Sequence, residues 1–468
     1  MSVSGASKIL QCRPKPTSIK PPFALLSKIF NHRAVMGTAQ LCSVSVANEE
    51  SLTRSLSSSC ATTAVACTTF NILAPIYKRL NGQARESEIR ECWIGRNEGI
   101  LEKLLPLKSS IVCLQEFWIG NAELAGMYER RLGDAGYATY KLARTNNRGD
   151  GLLTAIKQDQ FKVLNYKELV FNDFGDRVSQ LLHLDLVNFS QSRSLNVRKE
   201  ALLVNTHLLF PHNAAYCLRR LLQVYRILRY IKTYCEEYQL PQVPIILCGD
   251  WNGSKKGNVY KFLRSQGFES SYDIVHCYTD NDADAHKWIS HRNHRGNICG
   301  VDFIWLLNPT DARKSLTESF VESLFGNIKS FIKKESNGAA RIPDIVYDFK
   351  NKNHITYSQF CQALTQAGLT SDLRDGITSE EMKDFWNCID TNGDGIVDLS
   401  ELNSSQQREH DTPSSPRKSK ISTTIAFDVK KAALYPPEVE KGVWPDYYSL
   451  SDHAQLTIEF APMLINCS

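Results

Sequence analysis

Residues 244–252 read PIILCGDWN: an apolar run of strand length that ends abruptly in glycine, aspartate and asparagine. The run has no alternation of apolar and polar residues, so both faces of the strand are buried, as in the middle of an α/β layer structure. Upstream, LLVNTH (202–207), IVCLQE (111–116) and CTTFN (67–71) repeat the pattern, each an apolar run that breaks into Asn, Glu or His. Downstream, GVDFIWLL (300–307) and AQLTIEF (454–460) are two more strand patterns, the second directly after Ser451-Asp452-His453. Helical stretches around Ile89–Leu105, Ala214–Tyr238 and Asn258–Ser265 lie between them. Alternating strands and helices of this kind predict an α/β sandwich.

The chain has 468 residues, long enough for one large domain plus a smaller module. Its 14 cysteines include no Cys-x-x-Cys pair, and several sit in apolar runs. They read as buried reduced thiols of an intracellular protein without structural zinc. The net charge of +5 is an N-terminal effect: setting aside the seven basic and two acidic residues of 1–60 from the totals of 55 and 50 leaves 48 of each sign. A neutral body gives no broad basic field for duplex DNA, so a polyanion must be held by a local site. The first 48 residues carry six Lys/Arg and no acid, a bias that fits a disordered extension or a transit peptide over 1–60. Cytoplasm or nucleus is the expected location, with plastid or mitochondrion the alternative that the acid-free N-terminus raises. No stretch approaches the roughly 18 apolar residues of a membrane span.

After Asn308-Pro309 the composition changes. Residues 312–410 hold 15 acids against 11 Lys/Arg, include a helical stretch near Thr317–Lys334, and end in a hydrophilic tract. The expected organisation is therefore a body in two parts, 61–311 and 421–468, with a module at 312–410 inserted between them and a linker at 411–420.

One polar residue at a strand end is unremarkable, because such ends are usually solvated. Here Asn71, Glu116, His207, Asp250, Asn252, Asp302 and His453 all fall at or beside the ends of apolar strands, where α/β folds collect their functional groups. Carboxylates and an amide oxygen are hard ligands that suit Mg²⁺ or Mn²⁺. Histidines beside them supply acid–base groups and donors for charge developing on phosphorus. Neither a Gly-rich phosphate loop nor a Gly-x-Ser-x-Gly elbow is present, which excludes a nucleotide kinase and a serine hydrolase.

Taken in order, TTFNILAP, LQEFW, NTHL, CGDWN, VDFIW and SDHAQL resemble the motif series of the endonuclease/exonuclease/phosphatase superfamily. The NILA-x-x-Y of Asn71 to Tyr77, the strand DRVSQLLHL (176–184) and VYKFL resemble its carbon-catabolite-repression deadenylase and nocturnin branch. The resemblance implies a two-sheet sandwich and a Mg²⁺-dependent phosphodiesterase. Glu116 would be the main metal ligand, helped by Asn71 and Asp452. Asp250 would align the attacking water, with Asn252 on the phosphate. Asp302 would orient His453 toward the scissile group, and His207 would stabilise or protonate the leaving oxygen. Single-stranded RNA cut from its 3′ end is the substrate this branch implies. GDGLLTAIK (149–157) also resembles neutral sphingomyelinases, so a phosphodiester lipid or a small phosphorylated molecule stays open, as does a non-catalytic calcium-responsive adaptor.

Residues 390–401, DTNGDGIVDLSE, fit the calcium loop of an EF-hand. Asp390, Asn392 and Asp394 offer side-chain oxygens, Ile396 its carbonyl, Asp398 a direct or water-mediated contact and Glu401 a bidentate carboxylate, with Gly395 at the sharp turn. A degenerate partner, DFKNKNHITYSQ (348–359), places Lys350 and Lys352 where ligands belong and Gln359 where the closing Glu belongs. Cations repel Ca²⁺, so one calcium ion per chain is expected in an all-α EF-hand module.

Overall fold

The computed structural model describes residues 64–80, 84–173, 175–187, 189, 197–211, 214–240, 242–281, 284, 287–309, 314–334, 354–366, 369–370, 376–398, 400–401 and 422–467. The expected N-terminal extension (1–60), the linker (411–420) and residues 348–353 of the degenerate loop lie outside these.

The body runs β1 (Val65–Asn71), α1 (Arg90–Leu104), β2 (Ile111–Phe117), α2 (Ala122–Asp134), β3 (Tyr137–Ala143), β4 (Gly151–Lys157), β5 (Phe161–Val170) and β6 (Val178–Leu186). It continues with β7 (Val197–Arg198), β8 (Glu200–His207), α3 (Ala214–Glu237), β9 (Ile245–Asp250), α4 (Asn258–Ser265), β10 (Glu269–Ser270) and α5 (Ser271–His276). A small hairpin, β11 (His291–Arg292) and β12 (Ile298–Cys299), precedes β13 (Asp302–Leu307). Then come α6 (Leu316–Lys334), β14 (His354–Thr356), α7 (Tyr357–Gln366), α8 (Ser379–Ile389) and β15 (Ile396–Asp398), before the chain returns through β16 (Ser422–Tyr435) and β17 (Gln455–Cys467).

Two mixed sheets result. One is ordered β3-β4-β2-β1-β17-β16-β7 and the other β10-β13-β9-β8-β6-β5. They face each other: Cys67 Sγ of β1 lies 3.4 Å from Cys248 Sγ of β9. The architecture is a two-sheet α/β sandwich. Strands β8, β9 and β13 are buried along almost their whole length, which is why their sequences lack alternation. The layer between the sheets is not wholly apolar. Asn205 donates through Nδ2 to Leu114 O, Leu153 O and Thr154 Oγ1, while its Oδ1 accepts from Gln115 Nε2 at 2.9 Å. Burial without partners would be costly, so this network fixes the sheets against each other two residues below the ends of β2 and β8.

Parallel pairing of β1 with β2 and of β8 with β9 brings their C-terminal ends to the same edge. Gly249 makes the second pair fit. Its φ is +144°, and a Cβ there would come within 1.9 Å of Thr206 O. Strand β17 is longer than the AQLTIEF pattern, pairing with β16 from Gln455 to Cys467.

Helices α6 to α8 and the β14–β15 ribbon stand in the chain between β13 and β16. Ile355 and Val397 are paired across that ribbon and both buried. A capping box starts α8: Thr378 Oγ1 accepts from Glu381 N, and Glu381 accepts from Thr378 N. Phe320 of α6 stacks against Tyr225 of α3 at 4.3 Å between ring centroids and packs on Phe385 of α8 at 5.2 Å. These aromatic contacts hold α8 on the body.

Candidate active site

Strand register places three of the expected residues on one rung. His207 of β8 is paired with Asp250 of β9, and Asp250 in turn with Asp302 of β13. Directly paired residues share a face, so the three converge at the edge of one sheet. His207 Nε2 is 3.3 Å from Asp250 Oδ2, and His453 Nε2 is 3.7 Å from the same oxygen. His453 enters from the loop before β17 of the other sheet, with Nδ1 2.9 Å from Asp302 Oδ2. Ser451 secures that loop: its Oγ donates to Asn71 O at 2.7 Å and accepts from His453 N at 3.1 Å.

Asn71 and Glu116 close the arrangement from the facing sheet. Asn71 Nδ2 donates to Asp250 Oδ2 at 3.0 Å and to Glu116 Oε1 at 3.3 Å. Its Oδ1 accepts from Leu73 N, so the amide bridges two carboxylates. Glu116 sits at a register shift in β2 with φ +53°. A left-handed glutamate is strained, and such strain persists where surrounding contacts impose it. Glu116 Oε2 accepts from Ala74 N at 3.2 Å.

Two local conformations depart from strand geometry. Asn252 does not continue an extended segment beyond Asp250: it has φ +48°, and its N–H donates back to Asp250 Oδ1 at 2.9 Å. The turn, not strand periodicity, brings Asn252 to the cleft, and its Nδ2 is engaged by Leu208 O. Asp452 and His453 do not point apart either. Their ligating atoms and that of His291 all lie within 4.8 Å of one another, as do those of Asp250, Asp302 and His453. The bend at Ser451–His453 removes the alternation that an extended chain would have.

Electrostatics sort the groups into roles. Burial opposes a charged His453, but the carboxylates of Asp302, Asp250 and Asp452 outweigh it and hold the imidazole well above its usual range. Burial raises Asp302 to about 6, against the pull of His453 and Ser290. Burial, then Arg177 and Arg144, push His207 well below its usual range. A neutral His207 offers a hydrogen bond and not an acidic proton. Glu116 is raised to about 7 by burial and by the charges of Asp452 and Asp150.

The cleft, of about 450 Å³, has walls that sequence patterns did not point to. His291 of the β11–β12 hairpin stacks on His453, ring centroids 4.1 Å apart. Arg144, Arg148 and Arg177 line one side. Arg144 Nη1 pairs with Asp150 Oδ1 at 2.9 Å, and Tyr77 donates to the same oxygen at 2.7 Å. Asp150 belongs to the GDG, and Arg177 to the DRVSQLLHL, read earlier only as resemblances; Arg144 and Arg148 stand in the loop after β3 with no periodic signature. The donor set fits a hard divalent cation: burial first, then the charges of Asp452 and Asp150, raises Glu116, and a cation beside these carboxylates would relieve both.

In the 390–401 loop, Gly393 and Gly395 take φ +71° and +83°. Asp390 Oδ1 accepts from Gly393 N, Asp394 Oδ1 from Ile396 N, and Glu401 Oε1 from Thr391 N at 2.9 Å. Four carboxylates and no cation in the loop also fit a hard divalent ion.

The chain is 50% identical over 434 residues to a protein of Arabidopsis thaliana described as an uncharacterized calcium-binding protein, covering 89% of this chain and 88% of that one. The chain belongs to that protein's family. It is also 33% identical over 180 residues to carbon catabolite repressor protein 4 homolog 3 of Arabidopsis thaliana, 37% of this chain and 36% of that protein. Among solved structures, the human nocturnin catalytic domain matches with TM-score 0.39 and 20% identity, covering 52% of this chain and 82% of that one. ANGEL2, described as a 2′,3′-cyclic phosphatase, matches with TM-score 0.42 and 18% identity over 52% and 84%. No protein-family model matches. Among the described residues no helix is long and apolar enough to cross a membrane.

Proposed function

We propose that the protein is a calcium-binding, Mg²⁺-dependent phosphodiesterase that removes nucleotides from the 3′ end of RNA. The observation that carries this reading is the single rung His207–Asp250–Asp302 met by His453. That arrangement sets an aspartate for an attacking water beside two imidazoles in opposite charge states. A 23% likeness over 268 residues to the CCR4-Not complex 3′-5′-exoribonuclease subunit Ccr4 of Debaryomyces hansenii supports RNA. So do the exposed Tyr77 and Phe210 on the cleft, aromatic surfaces on which bases can stack.

In this reading Glu116, with Asp452, holds Mg²⁺, which would supply Lewis-acid stabilisation of the charge on phosphorus. Asn71 fixes Glu116 and Asp250 relative to each other. Asp250 orients the water and takes up its proton. The His453 imidazolium, held by Asp302, donates to a phosphoryl oxygen, and neutral His207 donates a hydrogen bond to the leaving oxygen, which takes its proton from solvent as its bond to phosphorus breaks. Asn252 would contact the phosphate by exchanging its bond to Leu208 O for one to substrate.

The module at 312–410 is read as an EF-hand insert in a body formed by 61–311 and 421–468, with calcium at Asp390, Asn392, Asp394, Ile396, Asp398 and Glu401. The test is turnover of oligo(A), plasmid DNA and sphingomyelin, each with Mg²⁺ and with EDTA. Mg²⁺-dependent shortening of oligo(A) alone is expected. Turnover of sphingomyelin alone would replace RNA with a lipid substrate, and turnover of none would leave a calcium-responsive adaptor.

A further inference from the structure

Arg177 stands at the start of β6, lining the cleft beside His207, with 8% of its surface exposed. Its Nε and Nη1 are buried and have no hydrogen-bond partner among the described residues. The neighbouring charges are already engaged. Asp150 is taken by Arg144 and Tyr77, and Asp250 and Glu116 by Asn71. Burying a guanidinium without a partner is costly, and a fold keeps such a group only where something else compensates.

The loop ahead of it is built to hold that position. Asp173 Oδ1 accepts from Gly175 N at 3.1 Å and from Arg177 N at 3.3 Å, and its Oδ2 accepts from Gln223 Nε2 of α3. Asp176, at φ +54°, is bound by Arg148 Nε at 2.6 Å. Arg177 is thus anchored through its backbone, and its guanidinium lines the cleft with Nε and Nη1 buried and without a partner among the described residues. A planar fork of this kind matches the oxygens of a phosphate.

We propose that Arg177 is the phosphate-binding residue of this cleft, its guanidinium completed by the phosphoryl oxygens of a bound substrate. That the cleft takes an anion follows from the unpaired fork; that the anion is a substrate phosphate rests on the phosphoesterase reading. The residue makes ground-state contact as well as transition-state contact, so it acts on affinity for phosphate even where no bond is broken.

The experiment is calorimetric titration of the full-length protein with inorganic phosphate in Mg²⁺, for wild type, Arg177→Met and Arg177→Lys, with thermal melts of the ligand-free proteins. Losing a hydrogen bond to a charged group weakens binding on the order of 10- to 100-fold, and that is expected for Arg177→Met. Arg177→Lys, which keeps the charge but not the fork, is expected to fall between. The melting temperature of free Arg177→Met is expected to hold or rise, because an unpaired buried charge is gone. Equal phosphate affinity in wild type and Arg177→Met, or no binding to wild type, overturns the proposal; should the methionine variant not fold, equal affinity in Arg177→Lys does so. Hydrolysis of bis(p-nitrophenyl) phosphate is followed in parallel. Phosphate binding that depends on Arg177 without hydrolysis keeps this site and discards the phosphodiesterase.

Discussion

His453 Nδ1 and Asp302 Oδ2 meet at 2.9 Å across the two parts of the body. Asp302 is fully buried, and the same oxygen accepts from Ser290 Oγ at 2.6 Å. The carboxylate has no route to solvent and can only orient and charge the imidazole. His453→Ala and Asp302→Asn are each expected to lower kcat/KM on oligo(A) by about 10²-fold or more, with circular dichroism unchanged. Because both act through one imidazolium, the double variant should lose little beyond the worse single one. Additive losses would separate the two residues and undo the pairing as a functional unit.

Glu116 gives a pH dependence of defined sign. In the metal-free protein its carboxyl is raised from 4.5 to about 7, by burial first and then by Asp452 and Asp150. Between those values the folded state keeps a proton that the unfolded chain has lost. Its contribution to stability is full below about 4.5 and disappears as pH rises through about 7. In EDTA, the melting temperature of wild type should therefore fall from pH 5 to pH 8 by more than that of Glu116→Gln. At pH 8, Mg²⁺ should restore wild type and leave the variant unmoved. Parallel melting curves for the two proteins would remove Glu116 from the metal site.

Gly249 is a steric requirement of the rung. A methyl group there would press on Thr206 O of the neighbouring strand at 1.9 Å, one residue before both His207 and Asp250. Gly249→Ala is expected to destabilise the fold by on the order of 2–4 kcal/mol and to lower activity further than the stability loss explains. Urea denaturation beside initial rates measures both. Unchanged stability would mean that the β8–β9 pair relaxes freely.

The ends of β1, β2, β8, β9 and β13 were legible because apolar runs that break into Asn, Glu, His or Asp need only local chemistry to be noticed. Helix α4 spans Asn258–Ser265, the stretch read from sequence. What stayed hidden depends on backbone turns or on distant partners. The left-handed φ of Glu116 and Asn252 breaks the alternation of the strands beside them. His291 reaches the cleft through a hairpin, and Arg177 owes its position to Asp173 and Gln223. Strand β16, whose charged Asp428, Lys430 and Lys431 mask its pattern, is recognisable only once paired with β17.

Calcium is expected to modulate turnover, and helix α3 is the element through which it would act. Arg226 of α3 donates from Nη1 to Glu381 Oε1 at 2.7 Å and from Nη2 to Gly376 O at 2.8 Å. Glu381 caps α8, the helix that runs directly into Asp390 of the loop. On the same α3, Arg220 donates to Leu209 O and to Asn252 O at the cleft. A reorientation of α8 on calcium binding would therefore pull on a helix that holds the turn after Asp250, besides shifting β13 and β16, which flank α6 to α8 in the chain. Small misplacements of catalytic groups can cost about 10²-fold in rate. The measurement is steady-state hydrolysis at fixed Mg²⁺ with calcium titrated, for wild type, Glu401→Gln and Arg226→Met. Wild type should respond, Glu401→Gln should need more calcium, and Arg226→Met should bind calcium by calorimetry yet respond weakly. A calcium response in Arg226→Met equal to wild type would discard α3 as the path, and none in wild type while the ion binds would leave calcium as a structural staple of the module.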